Sequence, residues 1–186
     1  MYEHLIDEDY KDRVKIGRNV NIQAGTVLGA LPLIFDRITG KRVRPEMKGG
    51  LIIEDNVDIG ACCVLNIGEE RDTIIKKNSM IGHLSSIGHD AIIGENSGIS
   101  AHVCVCGFAE VGEWCYVAPQ SVIQPYRKIG DFTMIGTMSN ITKDLPEGVI
   151  AYGNPCKTVR ENKWRPQVAS TVDDLIEQTK KEGVYV

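Results

Sequence analysis

From Ile75 to Ile141 an aliphatic residue returns at every sixth position: Ile75, Ile81, Ile87, Ile93, Ile99, Val105, Val111, Val117, Ile123, Ile129, Ile135 and Ile141. Helices repeat every 3.6 residues and strands every 2, so both drift against a six-residue ruler. A solenoid keeps this interval. Two positions before each aliphatic stands a mostly small residue: Ser79, Ser85, Ala91, Ser97, Val103, Ala109, Cys115, Ser121, Thr133 and Ser139, with Arg127 the exception. A glycine often follows directly, as at Gly82, Gly88, Gly94, Gly112, Gly130 and Gly136.

The pattern predicts a chain wound as a triangular prism, with one short strand per side. The aliphatic residues fill the inside, the small residues fit the inner corners, and glycine supplies permissive backbone at the turns. Three hexads make one coil, so residues eighteen apart stack on neighbouring coils. This is the hexapeptide-repeat signature, and it resembles the left-handed parallel β-helix of the hexapeptide acyltransferases. The expected fold class is therefore all-β, a left-handed parallel β-helix with one inserted loop and a short C-terminal helix.

Residues 1–13 carry no period and are expected to form an N-terminal arm or cap. The ruler starts at Ile16 and continues through Ile22 and Leu28, then breaks for an inserted loop, residues 30–50. An insertion in a solenoid projects from one corner, often on a binding face. Arg37, Lys41, Arg42, Arg44 and Lys48 make this loop basic. Either it meets an anionic ligand such as a nucleotide diphosphate, with Arg42 and Arg44 as substrate-binding candidates, or it is a solvated hairpin. The ruler resumes at Ile53, Ile59 and Leu65 and slips by four residues through Gly68-Glu69-Glu70-Arg71-Asp72, a small corner bulge. The β-helix is expected over 14–144, in six coils. Residues 145–186 then form a crossing segment and a helix over 172–181, capped by Ser170 or Thr171.

With 186 residues the chain is long enough for one domain with a substantial core. Its formal charge of -4 gives no general attraction to nucleic acid or to an anionic membrane. Met1-Tyr2-Glu3-His4 opens a polar, acidic stretch, and no apolar run reaches spanning length, so a cytoplasmic protein is expected. None of the six cysteines forms a C-x-x-C pair, which leaves no zinc framework, and reduced thiols are expected. Cys115 reads as a compact core residue. Strand alternation is taken to direct at most one of Cys104 and Cys106 outward.

Several segments carry a closer resemblance. Val27-Leu28-Gly29-Ala30, the inserted loop, Ile59-Gly60-Ala61-Cys62, Asp72-Thr73-Ile74-Ile75 and Ile87-Gly88-His89-Asp90 occur in the order seen in the UDP-3-O-acylglucosamine N-acyltransferases. The resemblance implies that His89 is the general base taking a proton from the attacking amine, a role suited to imidazole near neutral pH. Gly107, eighteen residues on, stacks over His89 and matches the family's backbone N–H donor to the thioester oxygen. His83, one corner earlier, is a candidate substrate contact, and His102 is a weaker one. Hexapeptide-fold carbonic anhydrases also carry histidines, as zinc ligands, but at a different spacing, so no metal is expected.

The chain departs from the lipid enzymes at Asn66 and Ile67, where they have charged residues, and lacks their further histidine near Val122-Ile123-Gln124-Pro125. Their additional N-terminal domain is not expected before Val14. Gly153-Asn154-Pro155-Cys156-Lys157-Thr158-Val159-Arg160 instead looks like the exit segment of acetyl-CoA-dependent hexapeptide enzymes, which makes Lys157 and Arg160 coenzyme-phosphate candidates. The implied function is transfer of an acyl group, foremost acetyl from acetyl-CoA, to the amine of a nucleotide-linked amino sugar, without a covalent acyl-enzyme. The resemblance also implies a homotrimer. The alternatives are a longer-chain enzyme using acyl carrier protein and a non-catalytic assembly subunit.

Overall fold

The computed structural model describes residue 6, residues 8–43 and residues 45–165. Three parallel sheets form the sides of a prism of about six turns. The first sheet stacks Val14–Ile16, Leu51–Ile53, Thr73–Ile75, Ile92–Ile93, Glu110–Val111 and Lys128–Ile129. Asn21–Ile22, Asp58–Ile59, Met80–Ile81, Gly98–Ile99, Tyr116–Val117, Met134–Ile135 and Val149–Tyr152 build the second. The third runs through Val27–Ala30, Val64–Asn66, Ser86–Ile87, Cys104–Val105, Val122–Ile123 and Asn140–Ile141. Partners lie eighteen residues apart wherever the ruler is unbroken, as in Ile81 with Ile99 and Ile87 with Val105.

Every aliphatic of the unbroken series is buried, and each contributes about 1.5–3 kcal/mol by leaving water. The small residues two positions earlier are buried too, and many are hydroxylic for a reason the spacing did not reveal. Ser79, Ser85, Ser97 and Ser121 each donate a hydroxyl hydrogen bond to the carbonyl fifteen residues on, Gly94, Ser100, Gly112 and Gly136 respectively. Ser85, Ser97 and Ser121 also accept an N–H from the next coil, at Val103, Cys115 and Ser139. The inner corner is thus a hydrogen-bonded column as well as a tight fit. Cys115 takes one such slot; burial pushes its thiol up to about 12.

The expected role of the glycines needs correction. Left-handed backbone recurs every six residues at Asn78, Leu84, Asp90, Asn96, His102, Phe108, Trp114, Gln120, Tyr126, Phe132 and Met138, with φ between 56° and 63°. None of these is glycine. The glycines that follow the aliphatics have ordinary φ and are required by close approach of the next coil. A Cβ on Gly82 would stand 2.6 Å from Ala101 N, and one on Gly88 2.5 Å from Gly107 N. At one corner the left-handed residues form an amide ladder: Asn19 donates to Asn56, Asn56 to Asn78 and Asn78 to Asn96.

Among the described residues a short segment lies against each end of the stack. Ile6 bridges Leu28, and a 3-10 turn over Glu8–Arg13 precedes the first strand. Lys157–Glu161 pairs antiparallel with Val149–Tyr152 and closes the second sheet, so its edge does not end in a parallel template. Residues 30–50 contain a hairpin, Ile34–Asp36 against Lys41–Val43. Arg44 and the expected helix over 172–181 lie outside the described residues. Among the described residues no helix is long and apolar enough to cross a membrane.

Candidate active site

The departures from the six-residue ruler leave the prism at one corner, the one that follows the third sheet. The hairpin insertion follows Val27–Ala30, the bulge of residues 68–72 follows Val64–Asn66, and the exit of residues 142–148 follows Asn140–Ile141. His89 follows Ser86–Ile87 on this same corner, one coil after the bulge.

The bulge is built around the side chain next to His89. Asp90 is fully buried with φ 61°, and its N–H is held by the Thr73 hydroxyl at 2.9 Å. The Asp90 carboxylate accepts Glu70 N–H at 2.8 Å and Arg71 N–H at 2.6 Å on Oδ1. On Oδ2 it accepts Glu69 N–H at 2.7 Å and lies 2.9 Å from His89 Nδ1. Burial alone would raise this carboxyl, but the backbone N–H groups of Arg71 and Glu69, with His89, outweigh it and hold the group below the usual carboxylate range. Arg71 locks the bulge by reaching the Asp90 carbonyl at 3.0 Å and Glu110 at 2.9 Å.

An ionised Asp90 fixes the tautomer of His89. Nδ1 carries the proton and donates to the carboxylate, which leaves Nε2 as an acceptor. Glu69 Oε2 lies 3.5 Å from the same Nδ1. Phe108 meets the imidazole edge-on at 5.2 Å between centroids, and Tyr126 stacks on Phe108 at 4.8 Å. These three rings sit on successive coils of one corner. Nε2 faces Gly107: a Cβ there would stand 2.6 Å from it. Among the described residues no acceptor lies on Gly107 N–H. An acceptor nitrogen and a backbone N–H without an acceptor among the described residues therefore lie on neighbouring coils, the two kinds of group that acyl transfer uses.

Glu69, His89 and Asp90 also bring three ligand atoms within 4.8 Å of one another. The fit to a cation is poor. A carboxylate has about four lone-pair sites, and those of Asp90 are taken by three backbone N–H groups and the imidazole.

Residues 72–107 match the family model described as bacterial transferase hexapeptide, six repeats. This is a hexapeptide-repeat chain. The UDP-3-O-acylglucosamine N-acyltransferase of Methylobacterium nodulans is 34% identical over 146 residues, which cover 78% of this chain and 42% of that protein. The protein of the same name from Campylobacter lari is 32% identical over 114 residues, covering 61% and 35%. The hexapeptide chain thus spans less than half the length of these relatives. Among solved structures, the UDP-N-acetylglucosamine O-acyltransferase of Moraxella catarrhalis superposes with a TM-score of 0.70 at 22% identity, over 92% of this chain and 75% of that one. The UDP-N-acetylglucosamine acyltransferase of Campylobacter jejuni gives 0.68 at 19%, over 94% and 72%. The fold is theirs, a left-handed parallel β-helix.

The other candidates of the hexapeptide chain lie apart from His89. His83 is exposed and accepts Ala61 N–H on Nδ1 at 2.9 Å, and His102 occupies an exposed left-handed corner position. Arg42 sits exposed on the projecting hairpin, opposite Phe35. Lys157 and Arg160 are exposed on the closing strand. That strand is five strands beyond Met80–Ile81 in the second sheet, so roughly 24 Å along the axis from the coil of His89 at the usual strand spacing.

The cysteine expectation is overturned. Cys104 and Cys106 are both partly buried on the outer side, with sulfurs 3.9 Å apart, because residues two apart along extended chain share a face. The hydrogen bond from Cys106 lowers the Cys104 thiol to about 6, while Cys106 itself is raised. The part of Asp90 escaped sequence reasoning as well. Its signal was the size of the slip: eighteen plus four places Gly68 beneath Asp90, and Glu69, Glu70 and Arg71 in reach of its carboxylate.

Proposed function

We propose that this chain is the catalytic part of an acyltransferase that carries an acyl group from a thioester to the amine of a nucleotide-linked amino sugar. Acetyl-CoA is the first donor to consider. The observation that carries this reading is the Asp90–His89–Gly107 array, with Nδ1 tied down and Nε2 beside Gly107, whose N–H has no acceptor among the described residues. The relatives named N-acyltransferases support it.

In this reading the amine attacks the thioester carbonyl while His89 Nε2 takes its proton. Asp90 stabilises the imidazolium that forms, and Gly107 N–H holds the tetrahedral oxyanion. Collapse breaks the carbon–sulfur bond, and the imidazolium returns its proton to the departing thiolate. No covalent enzyme intermediate is needed. Lys157 and Arg160 would meet coenzyme phosphates, and His83, Arg42 and Arg44 the acceptor. Because Lys157 and Arg160 lie far along the axis, the donor would extend along the prism. A homotrimer with three equivalent sites and a cytoplasmic location belong to the same proposal.

A second reading keeps the same site and takes a longer acyl chain from acyl carrier protein, the alternative that the resemblance to the UDP-3-O-acylglucosamine N-acyltransferases implies. Free-thiol release from acetyl-CoA, and separately from acyl carrier protein loaded with acetyl or longer chains, measured with amino-sugar nucleotides, separates the two. His89→Ala should reduce either activity about 10²–10⁴-fold. Unchanged turnover in that variant would overturn the assignment of the base.

A further inference from the structure

Cys104 and Cys106 form a chelate that the acyl-transfer chemistry does not use. Cys104 ends no core contact: it lies on the outer side of its strand, while Val105 between the two cysteines is buried. The two sulfurs are 3.9 Å apart. Ser86, paired with Cys104 on the preceding coil, turns its hydroxyl to the Cys104 sulfur at 3.4 Å. The other cysteines offer no such pair. Cys62 is exposed at a left-handed corner and Cys63 is buried beside it, and Cys115 and Cys156 are both buried.

The separation of the sulfurs decides what this pair suits. Thiolates bound about 2.3 Å from a tetrahedral cation stand about 3.8 Å from each other. A disulfide needs about 2.05 Å, so closing one would move the sulfurs together by about 1.9 Å and draw in a strand with about 3.3 Å rise per residue. The cation fits the side chains where they stand; the covalent bond does not.

We infer that Cys104 and Cys106 are the two protein ligands of a soft divalent cation, of the zinc and cadmium class, held on the outer face of the third sheet. Each thiol gives up its proton on binding, and solvent completes the coordination shell. The Ser86 hydroxyl then donates to the Cys104 thiolate as an outer partner of the metal. Cys106 stacks over Gly88 and immediately precedes Gly107, so an occupied site would fix the peptide that carries the Gly107 N–H. This last step rests on the proposed acyl transfer; the metal site does not.

The test is a titration of the reduced, full-length chain with cadmium chloride, following the ultraviolet thiolate-to-metal charge-transfer band. One cadmium per chain is expected, with zinc competing only in large excess. Cys104→Ser and Cys106→Ser should each lose the saturable band, and Cys62→Ser should keep it. Without any variant, bound cadmium should protect Cys104 and Cys106, and not Cys62, from alkylation read by peptide mass. Absence of a saturable band, its survival in both serine variants, or equal alkylation with and without cadmium overturns the site. A band accompanied by unchanged thiol release from the acyl donor would overturn only the link to Gly107.

Discussion

Gly107 lies one coil above His89, and a Cβ added to it would stand 2.6 Å from Nε2 and 2.8 Å from Cε1 of the imidazole. The φ of Gly107 is ordinary, so alanine meets a steric obstacle there and no backbone strain. The ring cannot swing away freely, because Asp90 holds Nδ1 and Phe108 abuts its plane. Gly107→Ala should therefore displace the base while keeping the N–H. We expect kcat for acyl transfer to fall about 10²-fold, the penalty typical of an ångström of misplacement, and Tm to fall with the overpacking cost of about 1–3 kcal/mol. Wild-type turnover in that variant would show that Nε2 is not the reacting atom.

Asp90 links stability to pH. Its carboxyl is held below the ordinary value in the folded chain, so its contribution is complete above the unfolded pKa of about 3.9 and is lost as pH falls through the lower folded value. Asp90→Asn cannot accept all three N–H groups and should cost about 1–3 kcal/mol near pH 7. The difference between wild type and variant should hold constant down to about pH 5 and shrink below about pH 4. Urea unfolding at several pH values measures it, and a pH-independent difference would mean that the charge of Asp90 is not what the bulge binds.

Two glycines of the repeat should respond unequally to alanine. A Cβ on Gly88 would meet backbone, Gly107 N at 2.5 Å and Cys106 C at 2.7 Å, which neither coil can yield without unstacking. A Cβ on Gly98 would meet the Tyr116 ring at 3.3 Å, which a small rotation relieves. Gly88→Ala should be destabilised by about 1–3 kcal/mol or more and Gly98→Ala by well under 1. Thermal unfolding of the two variants is the measurement, and equal losses would sink the steric account of the glycines.

Met138 holds a left-handed φ of 57° with its side chain 67% exposed. Left-handed backbone costs an ordinary residue about 1–2 kcal/mol, and asparagine tolerates it better. Met138→Asn should stabilise the chain by about 0.5–1 kcal/mol, read as a higher Tm. A lower Tm would show that the exposed methionine is covered in the assembled protein.

Much of this molecule is legible as counting. A constant six-residue interval with three intervals per coil places Ile81 on Ile99, Ile87 on Val105 and hence Gly107 on His89, because side-chain direction and coil length both repeat. Counting fails where coil length changes or where backbone atoms do the binding. The four-residue slip shifts the register to twenty-two, and three N–H groups that belong to no particular side-chain type close around Asp90. Left-handed corners filled by Leu84, Phe108 and Met138 likewise contradict local preference, and only the hydrogen bonds of adjacent coils impose them. The period of the sequence determined the prism and the column on which His89 stands. The tertiary structure decided which nitrogen of that histidine is free, since the carboxylate that orients it is itself held by a bulge from the coil before.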